Sequence, residues 1–366
     1  MDIGIPKEIK PQEGRVAMMP MQVRQLVEAG NTIRVETNAG LLSDAMDEEY
    51  RDAGAVITPD AASLFKSSEM VVKVKEIMPQ EYGFLEKDHI IFTNLHTALN
   101  RELTDLMLDI GLAGISAEDT HQNGSPNCAL AGEVGAFEGL RLTMSPHGGC
   151  GRSFMSHYGA PPLKALVIGL GMVGQGALRT LLRLGVHVTG YDINQGARYK
   201  SLLQFDNMPF DAKDISELHG DLAEADLIVN CVLWPKHRDD HLIDRETLKT
   251  LKQTAVIADI SCDTAGAIET TRSTTWAEPT YREEGILHFC VDNVPGAVAV
   301  TASTGYASSI LPFTRLVAEV GAIEACKREA WLAKGLTTHN GNLILKETGV
   351  VQERDYVPVD EYLNRT

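Results

Sequence analysis

Hydrophobic and polar positions follow one another along the first third of the chain in the pattern of an alternating α/β fold. Short apolar runs are typical of buried strands, and stretches with helical spacing separate them. The first predicted helix stops at Gly30, a residue type that ends helices. Such alternation indicates a parallel sheet covered by helices. The predicted strands are 2–5, 32–36, 70–74 and 89–92, and the predicted helices are 21–29, 60–67 and 101–110.

A second alternation of the same kind follows a region rich in turn signals. Asn-Gly, Ser-Pro and many glycines predict loops over 120–127 and 144–162. The final 30 or so residues are polar and show no strong period. A long predicted helix over 308–321 can carry the chain back to the first domain. We therefore expect one domain made of 1–130 with 310–366, and another made of 131–309. The predicted elements here are strands 163–168, 186–191, 227–232 and 255–260, with helices 173–184 and 308–321.

Composition and charge narrow the classes of function. A length of 366 residues suits two domains, and the net charge of −17 argues against nucleic acid or an anionic membrane as partner. Residues 1–15 have no apolar core typical of a signal peptide, and no apolar run is long enough to span a membrane. The six cysteines are scattered without metal-ligand spacing. These features predict a cytoplasmic protein with free thiols and no metal site.

Residues 169–174 read Gly-Leu-Gly-Met-Val-Gly, a G-x-G-x-x-G sequence between a predicted strand and a predicted helix. In a dinucleotide site, Gly169 allows the tight turn, Gly171 admits the pyrophosphate and Gly174 lets the helix pack closely. Met172 and Val173 then open the helix, whose N–H groups attract phosphate. The motif is interpreted as a site for a nicotinamide dinucleotide. The alternatives are a glycine turn without a ligand, an FAD site and a methyl-donor site.

An acidic residue strengthens the nicotinamide interpretation. Asp192 ends the next strand about 20 residues later, where a ribose hydroxyl binds in dinucleotide folds. Its charge would repel the additional phosphate of NADP, so NAD is the expected cofactor. Arg198 lies close enough in sequence to offset part of this preference.

Three polar residues follow predicted strands of the first domain: Arg15, Lys75 and His96. Ligands of open α/β sheets bind at the carboxyl ends of strands, so the three side chains can converge on one site. An arginine holds a carboxylate, a lysine holds a carbonyl oxygen, and a histidine exchanges protons near neutral pH. The alternative is that each is an ordinary surface charge, as we expect for the neighbouring Lys73.

Long ordered segments place the chain beside a known family. It resembles the alanine dehydrogenase family, related to the N-terminal part of proton-pumping nicotinamide nucleotide transhydrogenase. The resemblance implies two Rossmann-like, doubly wound α/β domains with a cleft between them, NAD bound at the glycine turn, and a hexamer. The segments are GIPKEIKPQEGRVAMMP, VVKVKE, FTNLHTA, GLGMVG, DISCDTAGAIETTRSTTW, LHFCVDNVPGAV and GLTTHNGNL.

The resemblance also implies roles for individual residues. Arg15 and Lys75 match the contacts to the substrate carboxylate and carbonyl, and His96 matches the acid/base histidine. Asp263 matches an aspartate that enters from the cofactor domain and completes the site. Asn293 matches a position near the nicotinamide.

Two departures from the family concern its substrate pocket. Asn94 stands where the family usually has tyrosine, and Ala131-Gly132 stands where it usually has Met-Ser. Smaller side chains at Asn94 and Ala131 favour a substrate larger or more polar than alanine. Alternatively, neighbouring residues fill the space and alanine remains the substrate.

Three functions compete on these observations. The leading hypothesis is an NAD-dependent dehydrogenase that reversibly deaminates L-alanine or a similar small amino acid to its 2-oxo acid and ammonia. The second is an opine-type synthase that condenses a 2-oxo acid with ornithine, lysine or arginine. The third is a nucleotide-binding subunit that passes hydride to another protein, disfavoured because that branch of the family lacks the histidine. The expected partners are a small-molecule substrate and further copies of the chain.

Overall fold

The computed structural model describes residues 1–120, 125–235, 238–262 and 265–366. The chain divides into two compact units, Met1–Pro126 with Val298–Thr366, and Asn127–Ala297. The second boundary precedes the sequence-based one at 309/310, because the helix that starts at Ala299 packs within the first unit along its whole length. Each unit is described by itself below.

The strands supply the two sheets of the molecule. In chain order they are β1 (Asp2–Ile5), β2 (Thr32–Glu36), β3 (Val56–Thr58), β4 (Met70–Val72), β5 (Ile90–Thr93), β6 (Ala113–Ser116), β7 (Lys164–Ile168), β8 (His187–Asp192), β9 (Phe210–Asp214), β10 (Leu227–Asn230), β11 (Val256–Asp259), β12 (Thr280–Glu283), β13 (Ile286–Phe289), β14 (Leu336–His339) and β15 (Asn342–Leu343).

The helices connect these strands. They are α1 (Pro20–Glu28), α2 (Asp47–Asp52), α3 (Ala61–Lys66), α4 (Arg101–Ile110), α5 (Pro126–Leu142), α6 (Met172–Arg183), α7 (Gln195–Gln204), α8 (Leu218–Asp221), α9 (Arg245–Leu248), α10 (Ala299–Val320), α11 (Ala322–Arg328), α12 (Ala330–Gly335), α13 (Lys346–Gln352) and α14 (Val359–Arg365).

The first unit is a doubly wound α/β domain. Its sheet has the order β3-β2-β1-β4-β5-β6-β14-β15, in which β1 to β6 are parallel. Successive residues enter cores on opposite faces, as Val71 and Val72 of β4 do. The order 3-2-1-4-5-6 reverses direction between β1 and β4, and ligands of this fold bind beyond the carboxyl ends of strands at such a point.

The second unit repeats this topology. Its sheet runs β9-β8-β7-β10-β11-β13-β12, and only β12 is antiparallel to its neighbour. Adjacent residues of β7, such as Val167 and Ile168, again belong to cores on opposite faces. The direction of strand addition reverses between β7 and β10, beside the glycine turn. The prediction of two Rossmann-like doubly wound domains is therefore confirmed.

Most predicted elements agree with the structure to within two residues. Strands 2–5 and 32–36 and helix 101–110 have the predicted bounds, and Gly30 follows α1 with φ +88°. The long helix was predicted too short, since α10 begins at Ala299 rather than 308. Its first turns contain Ser, Thr and Gly, which are weak helix formers, yet Ala302, Ser303 and Tyr306 are buried in the unit.

The C-terminal tail departs most from expectation. Its polar sequence predicted no regular structure, but it forms β14 and β15 and the helices α13 and α14. β14 pairs antiparallel with β6 over a separation of more than 200 residues, which no local pattern reveals. Of the predicted loop 120–127, residues 121–124 lie outside the described part of the chain. None of the described helices is both long and apolar enough to cross a membrane.

Candidate functional site

The polar residues of the first unit gather at the carboxyl ends of its central strands. Arg15 lies on the loop after β1, Lys75 follows β4, and His96 follows β5. The sheet order reverses between β1 and β4, where the fold places ligands, and β5 is the next strand beside β4. The structure therefore brings the three predicted residues to one edge of the sheet.

Arg15 is buried in a two-pronged pair with Glu13. Its Nε donates to Glu13 Oε1 at 2.8 Å and a terminal nitrogen donates to Glu13 Oε2 at 2.6 Å. Burial raises the pKa of Glu13, but the hydrogen bonds and charge of Arg15 outweigh it and hold the pKa below its usual value. A planar guanidinium is suited to charged hydrogen bonds with carboxylates, as its pair with Glu13 shows.

The backbone around Lys75 is fixed by neighbouring side chains. Glu8 Oε1 accepts the N–H groups of Val74 at 2.6 Å and Lys75 at 3.2 Å. Thr93 Oγ1 donates to the carbonyl oxygen of Lys75 at 2.6 Å. The Lys75 side chain is itself buried, with 7% of the residue exposed. These contacts fix the backbone from which the Lys75 side chain extends.

Lys73 is buried, whereas the sequence suggested an ordinary charge on the surface. It is fully buried, and its Nζ lies 2.5 Å from Glu81 Oε1 and 3.6 Å from Glu8 Oε2. Burial lowers the pKa of Lys73, but the two carboxylates outweigh it and raise the pKa above its ordinary value. The ammonium of Lys73 therefore helps to keep Glu8 in place under Lys75.

Asn94 links the ends of two strands beside the site. Its Nδ2 donates to the carbonyl oxygen of Val74 at 2.7 Å, which ties the end of β5 to that of β4. Its Oδ1 is buried and has no hydrogen-bond partner among the described residues. A buried acceptor without a partner is costly, so this atom is suited to receive a donor from a ligand.

His96 has an unusual backbone conformation and a charged neighbour. Its φ of +47° and ψ of +35° place it in the left-handed region, and 49% of its side chain is exposed. Glu118 accepts the N–H of His96 at 2.8 Å and that of Leu95 at 3.0 Å. Burial, reinforced by Asp119, raises the pKa of Glu118 to about 7.

Glu76 interacts electrostatically with basic residues on several of these loops. Burial raises the pKa of Glu76, but the charges of Lys75, Lys10 and His96 outweigh it and lower the pKa below its ordinary value. Lys10 Nζ lies 3.1 Å from Glu76 Oε1. Glu76 is therefore an anion between the cations of the site, and it balances their mutual repulsion.

The glycine turn of the second unit has the features of a dinucleotide site. Gly169 has φ +89°, and a Cβ at Gly174 would lie 1.9 Å from the carbonyl oxygen of Gly169. A Cβ at Gly171 would meet no protein atom within 4 Å, so the backbone is open to a ligand there. Met172 and Val173 begin α6, whose N-terminus has no side-chain cap. These features fit the pyrophosphate of a dinucleotide.

Asp192 and Arg198 lie beside that turn. Asp192 Oδ2 accepts the N–H of Leu170 and Oδ1 accepts that of Asn194, both at 2.7 Å. Each carboxylate oxygen keeps a second lone pair for a ribose hydroxyl. Arg198 donates to the carbonyl oxygen of Asp192 at 2.5 Å and to Asp214 at 2.8 Å. Asp214 therefore engages the guanidinium that was expected to offset the charge of Asp192.

The other residues predicted for the site in the second unit lie in different surroundings. Asn293 is buried, and its carbonyl oxygen accepts the indole N–H of Trp276 at 3.0 Å. Asp263 lies outside the described residues. Ala131 packs against the core of the second unit, and a Cβ at Gly132 would lie 1.9 Å from the carbonyl oxygen of Val173. Close packing of α5 on α6 therefore accounts for glycine at position 132.

The contacts that four glutamates of the first site make were not predicted from the sequence. Glu8 and Glu13 precede Arg15 in a segment dense with charge, which by itself resembles a solvated loop. Their burial beside basic residues is a property of the fold. Glu76 lies four residues after β4 and Glu118 two residues after β6, and a position shortly after a strand is the one signal that could have identified them. In the described part of the chain, no cluster of three His, Cys, Asp or Glu side chains is placed to hold a metal.

Comparison with known protein families covers both units. Residues 4–131 match the family model for the alanine dehydrogenase/PNT N-terminal domain. Residues 136–346 match the model for the alanine dehydrogenase/PNT C-terminal domain.

Individual alanine dehydrogenases are similar in sequence to this chain over nearly its full length. The chain is 35% identical to an alanine dehydrogenase of Staphylococcus haemolyticus over 99% of both chains. It is 34% identical to that of Bacillus subtilis, over 99% of this chain and 98% of the relative.

Solved structures extend the comparison to three dimensions. An L-alanine dehydrogenase structure superposes with a TM-score of 0.88 at 36% identity, covering 96% of this chain and 99% of the other. A transhydrogenase from Sinorhizobium meliloti has a TM-score of 0.75 at 22% identity, covering 94% and 99%, and it shares the fold.

Proposed function

Since the chain belongs to the alanine dehydrogenase/PNT family, we propose that it is an NAD-dependent dehydrogenase that reversibly deaminates L-alanine. One observation supports the proposal: Arg15, Lys75 and His96 each come after one of three neighbouring parallel strands, β1, β4 and β5, and the sheet order reverses between the first two. In the reductive direction, pyruvate, ammonium, NADH and a proton give alanine, NAD and water. The reaction is an oxidation of a CH–NH2 group when run in reverse.

NAD supplies only the transfer of hydride to or from the substrate carbon. The turn at Gly169, Gly171 and Gly174 and the N-terminus of α6 hold its pyrophosphate, and Asp192 holds a ribose through its remaining lone pairs. A 2′-phosphate would face that carboxylate, so NAD is preferred to NADP. By resemblance to the family, Asn293 is assigned to the nicotinamide end, and Asp263 is assigned to the substrate site, which it completes from the cofactor domain.

The first unit holds the organic substrate and moves its protons. Arg15 anchors the carboxylate of pyruvate through charged hydrogen bonds, and Lys75 holds its carbonyl oxygen. Ammonia adds to the carbonyl carbon, and His96 protonates the departing hydroxyl so that water leaves and an imine remains. In the oxidative direction His96 takes that proton back. Fixing these groups on strand ends lowers the entropic barrier of the reaction.

The competing assignments have less support. The relatives compared above carry the alanine dehydrogenase name, which does not favour condensation with ornithine, lysine or arginine. The unpaired Oδ1 of Asn94 would accept a hydrogen bond from a substrate that carries a donor, so a more polar substrate than alanine stays an alternative. Assembly into a hexamer and a cytoplasmic location stay predictions from the sequence.

The test is NADH oxidation with pyruvate, measured with ammonium and separately with ornithine, lysine and arginine. We expect ammonium-dependent oxidation and a product with the mass of alanine. The variant Arg15→Met removes the carboxylate anchor and should raise the KM for pyruvate, whereas Arg51→Met, at an exposed arginine of the same unit, should not. Oxidation that requires an amino acid and yields a secondary amine would replace the proposal with the synthase.

A further inference from the structure

The backbone of His96 lies in the left-handed region, which histidine enters more often than most residues with a β-carbon but still uncommonly. A residue with a β-carbon rarely has φ +47° and ψ +35°, because the β-carbon crowds the adjacent carbonyl group. Such residues persist only where the surrounding structure imposes the conformation, and they concentrate at functional sites. The conformation turns the chain sharply from β5 into the short helical turn Thr97–Leu99.

Glu118 is the group that imposes this conformation. Its Oε1 accepts the N–H of His96 at 2.8 Å, and its Oε2 accepts the N–H of Leu95 at 3.0 Å. One carboxylate therefore fixes two successive peptide groups at the point where the chain turns. When Glu118 is ionised, each of these hydrogen bonds is about twice as strong as one to a neutral acceptor.

The position of Glu118 is rigid in its turn. It lies two residues after the end of β6, whose Ser116 is paired in register with Thr93 of β5. The same oxygen that accepts the His96 N–H lies 3.6 Å from Nδ1 of the imidazole ring. Glu118 therefore contacts the backbone of His96 and also faces the Nδ1 atom of its ring.

We propose that Glu118 is the positioning residue of the proton-transfer step, acting through His96 rather than on the substrate. It holds the left-handed backbone that aims the imidazole, and it orients the ring from the Nδ1 side. This inference rests on the proposed function, because it concerns the histidine assigned to protonate the leaving hydroxyl. Lys75 and Arg15 are held by Glu8 and Glu13 instead, so substrate binding does not depend on Glu118.

The test compares Glu118→Gln with Glu69→Gln in the full-length protein. Glutamine at position 118 keeps the shape but has one acceptor oxygen, and its NH2 group faces a donor. Glu69 also accepts a backbone N–H, that of Asp2 at 2.7 Å, but it precedes β4 and lies at the opposite end of the strands. The two variants therefore make the same chemical change with and without contact to His96.

We expect Glu118→Gln to lower kcat by about tenfold or more, since small misplacements of a reacting group have effects of this size. The KM for pyruvate and the Kd for NADH should stay within about twofold of wild type. Hydrogen–deuterium exchange should rise in peptides covering residues 93–99. Glu69→Gln should match wild type in all of these measurements.

A cycle with His96→Asn separates positioning from a general structural effect. If Glu118 acts through His96, adding Glu118→Gln to His96→Asn produces no further loss of kcat. Losses that multiply, or a kcat of Glu118→Gln within twofold of wild type, would overturn the inference. A wild-type protein that fails to oxidise NADH with pyruvate and ammonium would instead contradict the proposed function, and the exchange measurement would still test the contact.

Discussion

The ammonium nitrogen of Lys73 lies 2.5 Å from Oε1 of Glu81, and neither side chain is more than 2% exposed. Glu8 is on the other side of this pair, with Oε2 at 3.6 Å from Lys73, and its Oε1 accepts the N–H groups of Val74 and Lys75. The buried ion pair and the substrate site therefore share one carboxylate. A change in the pair affects both the stability of the unit and the geometry of Lys75.

Replacing Lys73 with methionine should strongly destabilise the protein. The change keeps the side-chain volume but leaves Glu8 and Glu81 buried without their cation, which costs about 3–5 kcal/mol in the free energy of unfolding. Urea denaturation followed by circular dichroism measures the effect. Arg51→Met breaks an exposed pair with Glu48 and should cost no more than about 1 kcal/mol. Equal effects of the two variants would contradict the role given to Lys73.

Two substitutions of His96 separate its chemistry from its backbone conformation. Asparagine tolerates the left-handed region better than other residues with a β-carbon, whereas alanine does not. Both His96→Asn and His96→Ala should lower kcat by at least about 10²-fold, as loss of an acid/base group does. Only the alanine variant should also increase hydrogen exchange around residues 93–99. NADH binding, measured by fluorescence titration, should be unchanged, and near-normal turnover in either variant would remove His96 from the mechanism.

Three glycine-to-alanine variants test the cofactor site. Gly171→Ala adds a methyl group where no protein atom is within 4 Å, so it should weaken NADH binding about tenfold or more without loss of stability. Gly174→Ala places a methyl group 1.9 Å from a carbonyl oxygen, so it should lower stability by about 1–3 kcal/mol as well. Gly220→Ala, also in open space, is the control. Titration with NADH and urea denaturation distinguish them, and normal NADH binding by Gly171→Ala would contradict the assignment.

The side chain at position 94 should control the size of the accepted oxo acid. Asn94→Tyr adds an aromatic ring beside Lys75 and should reduce kcat/KM for 2-oxobutyrate relative to pyruvate by about tenfold, the usual effect of one methylene in a tight pocket. Leu99→Tyr adds a ring to the exposed side of the next turn and is the control. Steady-state rates with both oxo acids measure the ratio. An unchanged ratio would mean that position 94 does not face the substrate.

The sequence predicts the parts of this protein that depend on local patterns. β1, β2 and α4 have the predicted bounds because the spacing of apolar residues over a few positions determines them. Gly111 directly after α4 also ends that helix. The glycine turn is equally local, and each of its three glycines has the expected relation to its surroundings. The positions of Arg15, Lys75 and His96 follow from the rule that ligands bind at strand ends.

Contacts between distant segments explain what the sequence did not predict. Lys73 and Lys75 lie two positions apart in one segment. Lys73 forms a buried ion pair because Glu8 and Glu81, from other parts of the chain, approach it. Glu118 reaches His96 from 22 positions away because β5 and β6 pair in register. β14 likewise becomes a strand by pairing with β6, not by its own pattern.

The pH dependence of stability contains a contribution from Glu118 that can be isolated. Its ordinary pKa is 4.5, and burial together with the charge of Asp119 raises it to about 7 in the folded protein. Among the described residues, the charged groups near it are Asp119 in its own turn and, when protonated, His96 after β5. Tyr306 on α10 also lies within its electrostatic reach. Because the folded state binds the proton more tightly, this contribution is complete below pH 4.5 and is lost as pH rises through 7.

Comparison of wild type with Glu118→Gln therefore has a defined sign. The difference in unfolding free energy, wild type minus variant, should fall as pH rises from 5 to 7.5, by no more than about 1.4 kcal/mol per pH unit for one proton. Glu8, whose pKa burial also raises, is present in both proteins and cancels in the difference. Urea denaturation at pH 5.5, 6.5 and 7.5 measures the trend, with Glu69→Gln as control. A difference that is constant or rises with pH would mean that Glu118 is ionised throughout this range, and its carboxylate would then hold His96 with undiminished charge down to pH 5.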